Sequence, residues 1–168
     1  MTAAIMIVFL LGGALLQSLI PAAAGLGLSK PPILLAVALY FSLVHSRGVA
    51  VIVAILAGII QDSMSLFPVG TSALCFVVFT LVIAEWRETL FRDSLFTVAI
   101  LGAVLSALTT LALSLILSLN AAEAIAPNWW VALKMGGNAV LGLATAPLVW
   151  WVASSLEHHV GLTGGEER

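Results

Sequence analysis

Uncharged apolar segments follow one another along nearly the whole chain. These charge-free segments are residues 1–29, 31–46, 48–61, 63–84, 94–122 and 135–156. About 18 consecutive apolar residues are enough for a helix to cross the hydrocarbon core of a bilayer. The pattern predicts an all-α integral membrane protein with six membrane helices, at about residues 2–20, 32–45, 48–61, 69–84, 94–119 and 128–155.

Proline residues mark the boundaries of the first two predicted helices. Pro21 ends the first, because proline in a helix interior removes a backbone hydrogen bond. Pro31 and Pro32 open the second, since proline is tolerated in a first helical turn. With about 14 residues, this second helix covers about 21 Å, which is less than a hydrocarbon core of about 30 Å. It must be buried in the protein, cross only part of the bilayer, or lie where the bilayer is thin.

The distribution of positive charge predicts the orientation in the membrane. Six helices place both termini on one side, and that side then holds Arg47, Arg87, Arg92 and Arg168. The opposite side holds Lys30 and Lys134. Because cytoplasmic loops carry the excess of basic residues, we expect both termini to be cytoplasmic. The chain is then a single transmembrane bundle, residues 1–156, followed by a polar cytoplasmic tail, residues 157–168.

Composition excludes several classes of protein. Apolar residues make up 62% of the chain and charged residues only 8%, whereas soluble domains are about a quarter charged. No segment outside the predicted helices is long enough for a soluble catalytic or nucleic-acid-binding domain. The net charge of −2 gives no polybasic surface for nucleic acid. The first segment lacks the basic residues that open a signal peptide, so we interpret it as a membrane helix in contact with lipid.

Three predicted helices carry small or polar residues at four-residue spacing, and we call each such stripe a seam. The third helix has Ala50, Ala54, Gly58 and Asp62. The fifth has Gly102, Ser106, Thr110, Ser114 and Ser118, and the sixth has Asn138, Gly142 and Ala146. Small residues let membrane helices approach closely. The seams indicate either packing within the bundle or contact with a partner's membrane helix.

Asp62 is the most informative ionisable residue, because a carboxylate near a membrane helix is costly unless it is paired, hydrated or functional. A proton carrier would need a second ionisable group at a similar depth, and the topology offers none. The favoured interpretation is structural: Asp62 accepts hydrogen bonds in the turn before Gly70, or from Asn138 or a serine hydroxyl.

Enzyme chemistry finds no support in the sequence. Glu157, His158 and His159 are adjacent, which is not the spacing of a metal site. No nucleophile elbow or phosphate-binding loop is present. The single cysteine, Cys75, lies in an apolar segment and forms no disulfide framework. We therefore predict no catalytic residue, no metal site and no cofactor.

The segment 54–74 resembles the signature of the MreD family, the rod shape-determining membrane proteins of bacteria. The residues that carry the resemblance are Gly58, Asp62, Ser65, Pro68, Gly70, Ala73 and Leu74. The pair Pro31 and Pro32 and the loops with Arg47 and Arg92 are also similar, so the resemblance covers about residues 30–95. Leu66 departs from the pattern, since several relatives have a small residue there.

The resemblance implies a non-enzymatic component of the cell-elongation machinery in the bacterial cytoplasmic membrane. MreD proteins partner MreC and, through it, the filament protein MreB and the peptidoglycan synthases of the rod complex. The family is similar in fold to the substrate-binding S-component of energy-coupling-factor vitamin transporters, so an S-component-like six-helix bundle is expected.

Two functions remain open at this point. The first is a scaffold that binds the membrane helix of MreC and supports cell shape and peptidoglycan synthesis. The second is an S-component-like subunit that binds or transports a small molecule in a pocket near the Asp62 turn. A binding subunit requires a large cavity with convergent polar groups, whereas a scaffold requires an apolar surface matched to a partner helix.

Overall fold

The computed structural model describes residues 2–21, 30–65, 69–87, 94–120 and 129–160. These residues form six α-helices and no strand, which confirms the predicted all-helical fold. The helices are α1 (Thr2–Leu19), α2 (Ile33–Val44), α3 (Arg47–Ser63), α4 (Thr71–Trp86), α5 (Leu95–Asn120) and α6 (Trp129–Val160). Four residues of the predicted tail, 157–160, thus continue α6, and 161–168 lie outside the described residues.

Two of the described helices are long and apolar enough to cross a membrane. Their apolar segments are Leu95–Ile116 in α5 and Val131–Leu156 in α6. The apolar segments of α1, α2 and α4 are shorter, at Ile5–Leu19, Ile33–Val44 and Thr71–Trp86. The six-span topology therefore stays a prediction for the shorter helices.

The short helix α2 forms the centre of the protein. Eleven of its 12 residues are buried, and it contacts each of the other five helices. A helix that is apolar on all sides lies in a protein interior or in contact with lipid, and here the neighbouring helices cover it. Of the three possibilities for this segment, the structure shows burial within the protein.

Two helix pairs pack against α2, and glycines set their closest contacts. In the pair α3 and α4, a Cβ atom on Gly58 would collide with the backbone of Ala73. In the pair α5 and α6, a Cβ atom on Gly102 or on Gly142 would collide with the backbone oxygen of the other glycine. Close approach of this kind maximises van der Waals contact between helices that lipid does not drive together.

The chain direction gives the bundle two ends. The Asp62 end holds the C-termini of α1, α3 and α5 and the N-termini of α2, α4 and α6. The Arg47 end holds the opposite termini. The short connections from α2 to α3 and from α3 to α4 fix these helices as antiparallel neighbours.

Candidate functional site

The carboxylate of Asp62 lies in the last turn of α3 and joins it to the start of α4. The side chain is 1% exposed. It accepts hydrogen bonds from the backbone N–H of Gly70 at 2.7 Å and of Ser72 at 3.1 Å. The hydroxyl of Thr71 also donates to it, at 3.3 Å. Because the first amides of a helix have no partner within the helix, Asp62 caps α4 from the preceding helix and faces its positive dipole end.

The turn between α3 and α4 has two further supports. The backbone N–H of Ser65 donates to the carbonyl of Asp62 at 3.0 Å, and the Ser65 hydroxyl donates to the carbonyl of Gln61 at 2.8 Å. Gly70 has φ of 105°, a left-handed conformation that favours glycine. Pro68, the remaining turn residue of the family signature, lies outside the described residues.

We predict that Gly70→Ala lowers the stability of the protein by about 1 to 2 kcal/mol, the cost of a left-handed conformation for an L-residue. A Cβ atom at Gly70 meets no other atom within 4 Å, so the cost is conformational and not steric. Gly48→Ala is the matched control, because a Cβ atom there also meets nothing and the backbone is helical. Thermal unfolding in detergent measures the stability of the two variants. Equal unfolding midpoints for Gly70→Ala and Gly48→Ala would contradict the prediction. Gly70→Asn should recover part of the loss, since asparagine tolerates this region.

Two glutamine side chains tie α1, α2 and α3 together next to this turn. The Nε2 atom of Gln17 donates to Oε1 of Gln61 at 2.7 Å. The Oε1 atom of Gln17 accepts from the backbone N–H of Leu34, in the first turn of α2, at 3.3 Å. This pair was not predicted from the sequence. The available signal was the position of two long amide side chains in apolar segments, where each requires a partner.

The seams of α5 and α6 meet each other. The hydroxyl of Ser106 lies 2.8 Å from the carbonyl of Asn138 and donates to it. The Nδ2 atom of Asn138 donates to the hydroxyl oxygen of Thr110 at 2.6 Å. Gly102, Gly142 and Ala146 form the closest part of the same contact. Asn138 therefore serves the helix pair and, in the described contacts, is not a partner of Asp62.

Most of the remaining seam residues lie in the core of the bundle, and Ser114 lines the cavity described below. Ala50 and Ala54 are fully buried within the bundle, and Ala73 is the residue that Gly58 contacts. Ser114 lies one turn beyond Thr110, where its hydroxyl donates to the carbonyl of Leu111 at 2.8 Å. The seams of α3, α5 and α6 are thus largely occupied by residues of this chain.

A cavity of about 1000 Å³ opens at the Asp62 end, between the pair α5 and α6 and the helices α1, α2 and α3. Its polar wall residues include Gln17, Gln61, Ser106, Thr109, Thr110 and Asn138. Asp62 does not line it, because its carboxylate is turned toward α4. These six polar residues come from four helices, and no sequence motif relates them.

The Arg47 end carries a separate polar group of residues. Arg47 and Glu85 form an ion pair at 2.8 Å with both side chains well exposed, and such pairs contribute at most about 1 kcal/mol. The guanidinium of Arg87 donates to the carbonyl of His45 at 2.8 Å, at the C-terminal end of α2. This contact satisfies a carbonyl that the helix itself leaves unpaired. Glu88, Arg92 and Asp93 lie outside the described residues.

Within the described ranges, no group of three or more His, Cys, Asp or Glu side chains is placed to hold a metal ion. The free thiol of Cys75 is buried in α4. The side chains of Glu157, His158 and His159 lie outside the description. The polar groups of the described residues therefore connect helices and line a cavity.

The fold and these contacts define an all-helical protein with two helices that are able to span a membrane and a buried carboxylate that joins α3 to α4. The family model described as rod shape-determining protein MreD matches residues 1–152. The chain therefore belongs to the MreD family, a family of membrane proteins with a role in rod shape determination, and the resemblance seen in residues 54–74 is confirmed. No curated protein and no solved structure matches the chain significantly.

Proposed function

We propose that this protein is a non-enzymatic membrane scaffold of the bacterial cell-elongation complex and binds the membrane helix of MreC. The observation that carries the proposal is the match to the MreD family over residues 1–152. Through MreC the protein acts indirectly with MreB and the peptidoglycan synthases of the rod complex. Its place is the cytoplasmic membrane.

The contacts between helices of this chain restrict the surface on which the membrane helix of MreC binds. A helix partner requires apolar surface, and the closest small-residue contacts, at Gly58 and between Gly102 and Gly142, are already filled by helices of this chain. Large apolar side chains are exposed on α1, α3, α4, α5 and α6. The partner helix therefore contacts the outward, lipid-facing surface of the bundle and does not enter its seams.

Co-purification tests the scaffold function. The full chain with an affinity tag is co-expressed with MreC in one arm, and with MreC whose membrane helix is replaced by an unrelated membrane helix in the other. We expect the first form of MreC to be retained in mild detergent and the second to be lost. Retention of both forms, or of neither, would overturn the proposed helix contact.

We also expect the Arg47 end of the bundle to face the cytoplasm, as the charge distribution predicts. Lys30 and Ser46 are both exposed and lie at opposite ends of α2. In a Cys75→Ser background, Lys30→Cys should react with a membrane-impermeant thiol reagent in intact cells, whereas Ser46→Cys should react only after permeabilisation. The reverse labelling pattern would show the opposite orientation.

The second candidate function is that of a small-molecule-binding or transport subunit of the S-component type. The observation that favours it is the cavity of about 1000 Å³ with polar side chains from several helices, since ligand sites are concave, largely apolar and carry a few convergent polar groups. Scaffold and ligand binding are compatible, because the cavity and the outward surface are different parts of the molecule.

A further inference from the structure

The cavity at the Asp62 end has the length of one lipid acyl chain. Along α5 its wall runs from Ser106 to Ser118, which is about 18 Å along a helix axis. Ser106 lies in the middle of Leu95–Ile116, the segment of α5 that is long and apolar enough to cross a membrane. A hydrocarbon core of about 30 Å gives each leaflet, and hence an acyl chain in it, a depth of about 15 Å. Along α5 the cavity therefore covers the depth of one leaflet.

The buried hydroxyls of the cavity wall have partners within the protein. Ser106, Thr109 and Thr110 are each more than nine-tenths buried, and their hydroxyls donate to backbone carbonyls at 2.7 to 2.8 Å. Because a hydroxyl has one proton, these residues offer no donor to a ligand. The apolar residues of the wall include Leu35, Met64, Phe76, Leu111, Val131 and Met135. This wall suits an apolar occupant, since apolar cavities exclude water and bind apolar molecules.

The side-chain amide of Gln61 gives the cavity a hydrogen-bond donor. The backbone N–H of Leu34 donates to Oε1 of Gln17 at 3.3 Å, which fixes the orientation of the Gln17 amide. The Nε2 atom of Gln17 therefore faces Oε1 of Gln61, at 2.7 Å, and Nε2 of Gln61 lies on the side away from Gln17. That atom has no hydrogen-bond partner among the described residues and keeps accessible surface. Gln61 lines the cavity, and no described aspartate or glutamate does, so the amide is available to an acceptor on a ligand.

The mouth of the cavity carries residues that are typical of a membrane interface. Lys30 and Trp129 line the cavity, and both are exposed. Tryptophan is enriched where a membrane meets water, and lysine near a helix end extends its ammonium group to that level. Trp129 opens α6 at the Asp62 end. A lipid with its head group at this interface is therefore able to place a chain in the cavity.

We propose that the cavity holds one acyl chain of a membrane phospholipid, with the ester carbonyl of that chain accepting a hydrogen bond from Nε2 of Gln61. The volume of about 1000 Å³ lies at the upper end of the range for ligand pockets, so it accommodates such a chain. A chain in the cavity restores the van der Waals contacts that the side chains of an empty cavity lack. The hydrogen bond is stronger there than in water, because the surroundings have a low dielectric constant. This inference deepens the second candidate function and rests on it, but it does not depend on MreC.

Retention of lipids by the purified protein tests the proposal. The full chain is placed in nanodiscs that contain palmitic acid and equal amounts of dipalmitoyl phosphatidylcholine and its dialkyl ether analogue, which has no carbonyl. After detergent extraction, native mass spectrometry identifies the lipids that stay bound. We expect one phospholipid per chain, with the ester form retained about fivefold over the ether form, since the ether form lacks the hydrogen bond to Gln61. Retention of no lipid, retention of the ester form no better than the ether form, or retention of palmitic acid in place of phospholipid overturns the proposal.

A bulky side chain in the wall tests whether the lipid lies in the cavity. Ser114 lines the cavity, so Ser114→Trp should fill part of it and lose the bound phospholipid. Leu108→Trp is the matched control, because Leu108 is an exposed residue of the same helix that does not line the cavity. This control should retain the phospholipid. Unchanged retention by Ser114→Trp overturns the assignment to the cavity.

The variant Gln61→Leu tests the hydrogen bond to the carbonyl. It should still retain phospholipid but should lose the preference for the ester form over the ether form. This preference is a ratio, so it does not depend on the amount of folded protein, and an unchanged preference overturns the role of Gln61. Thermal unfolding and co-purification of MreC are measured for the same variants, so that loss of lipid, loss of the fold and failure of the scaffold function are told apart.

Discussion

Replacing Asp62 with leucine should remove most of the folded protein from the membrane, whereas Asp62→Asn should keep much of it. Three donors converge on the carboxylate, from Gly70, Thr71 and Ser72. Leucine leaves them without an acceptor, and each unsatisfied buried group costs about 1 to 3 kcal/mol. Asparagine keeps one acceptor oxygen and loses the charge that faces the positive end of α4. Membrane accumulation, MreC co-purification and rescue of rod shape measure the difference.

The control for this series is Ser63→Leu, which adds a similar apolar side chain one residue along at an exposed position. It should accumulate normally, because the Ser63 hydroxyl contacts only the carbonyl of Ile59 in the described structure. A stable Asp62→Asn protein that binds MreC but fails completely to restore rod shape would contradict the structural role. That result would instead indicate that the charge itself is used.

The second large effect is expected for Gly142→Leu, which should separate α5 from α6. A Cβ atom at this position would already collide with the hydroxyl of Ser106 and with the backbone oxygen of Gly102. Backbone cannot move aside as a flexible side chain does, so overpacking should cost about 1 to 3 kcal/mol or more. The contacts from Asn138 to Ser106 and Thr110 should be lost with it. Thermal unfolding in detergent and membrane accumulation are the measurements.

Gly136→Leu is the matched control, because it lies on the same helix and a Cβ atom there meets nothing within 4 Å. It should leave the unfolding midpoint within the error of the unchanged protein. The unfolding midpoint of Gly142→Ala should lie between those of Gly136→Leu and Gly142→Leu. Equal midpoints for the leucine variants at 136 and 142 would show that the close contact between α5 and α6 does not stabilise the protein.

Local patterns in the sequence predicted the helices and the structural features of the turn well. Charge-free segments located the apolar part of each helix, because the buried or lipid-facing turns of a helix rarely hold a charge. The seam spacing predicted which faces of α5 and α6 carry small and polar residues, since four residues return to the same side of a helix. Asp62 was correctly associated with the turn that leads to Gly70, because donors in a turn lie close in sequence.

Features that join distant segments were not predictable in the same way. Gln17 and Gln61 are 44 residues apart, and nothing local indicates that their side chains meet. The cavity depends on how six helices of unequal length pack, which local patterns in the sequence do not determine. The helix α6 continues to Val160, beyond the predicted membrane segment, because the polar residues Glu157, His158 and His159 change the polarity of the chain without ending a helix, which requires a cap or a proline.

The shortness of α2 has a consequence for how the protein is made. A helix of 12 residues is about 18 Å long, so it leaves its terminal amides and carbonyls inside the hydrocarbon region if it is inserted alone. In the folded protein, Gln17 of α1 accepts a hydrogen bond from the backbone N–H of Leu34 at one end, and Arg87, beyond α4, donates one to the carbonyl of His45 at the other. During synthesis α1 is complete before α2, but Arg87 is added 43 residues after Val44, the last residue of α2. We therefore expect membrane insertion of α2 to be coupled to that of α3 and α4, so a ribosome stalled before Arg87 should leave the central helix accessible from the aqueous side.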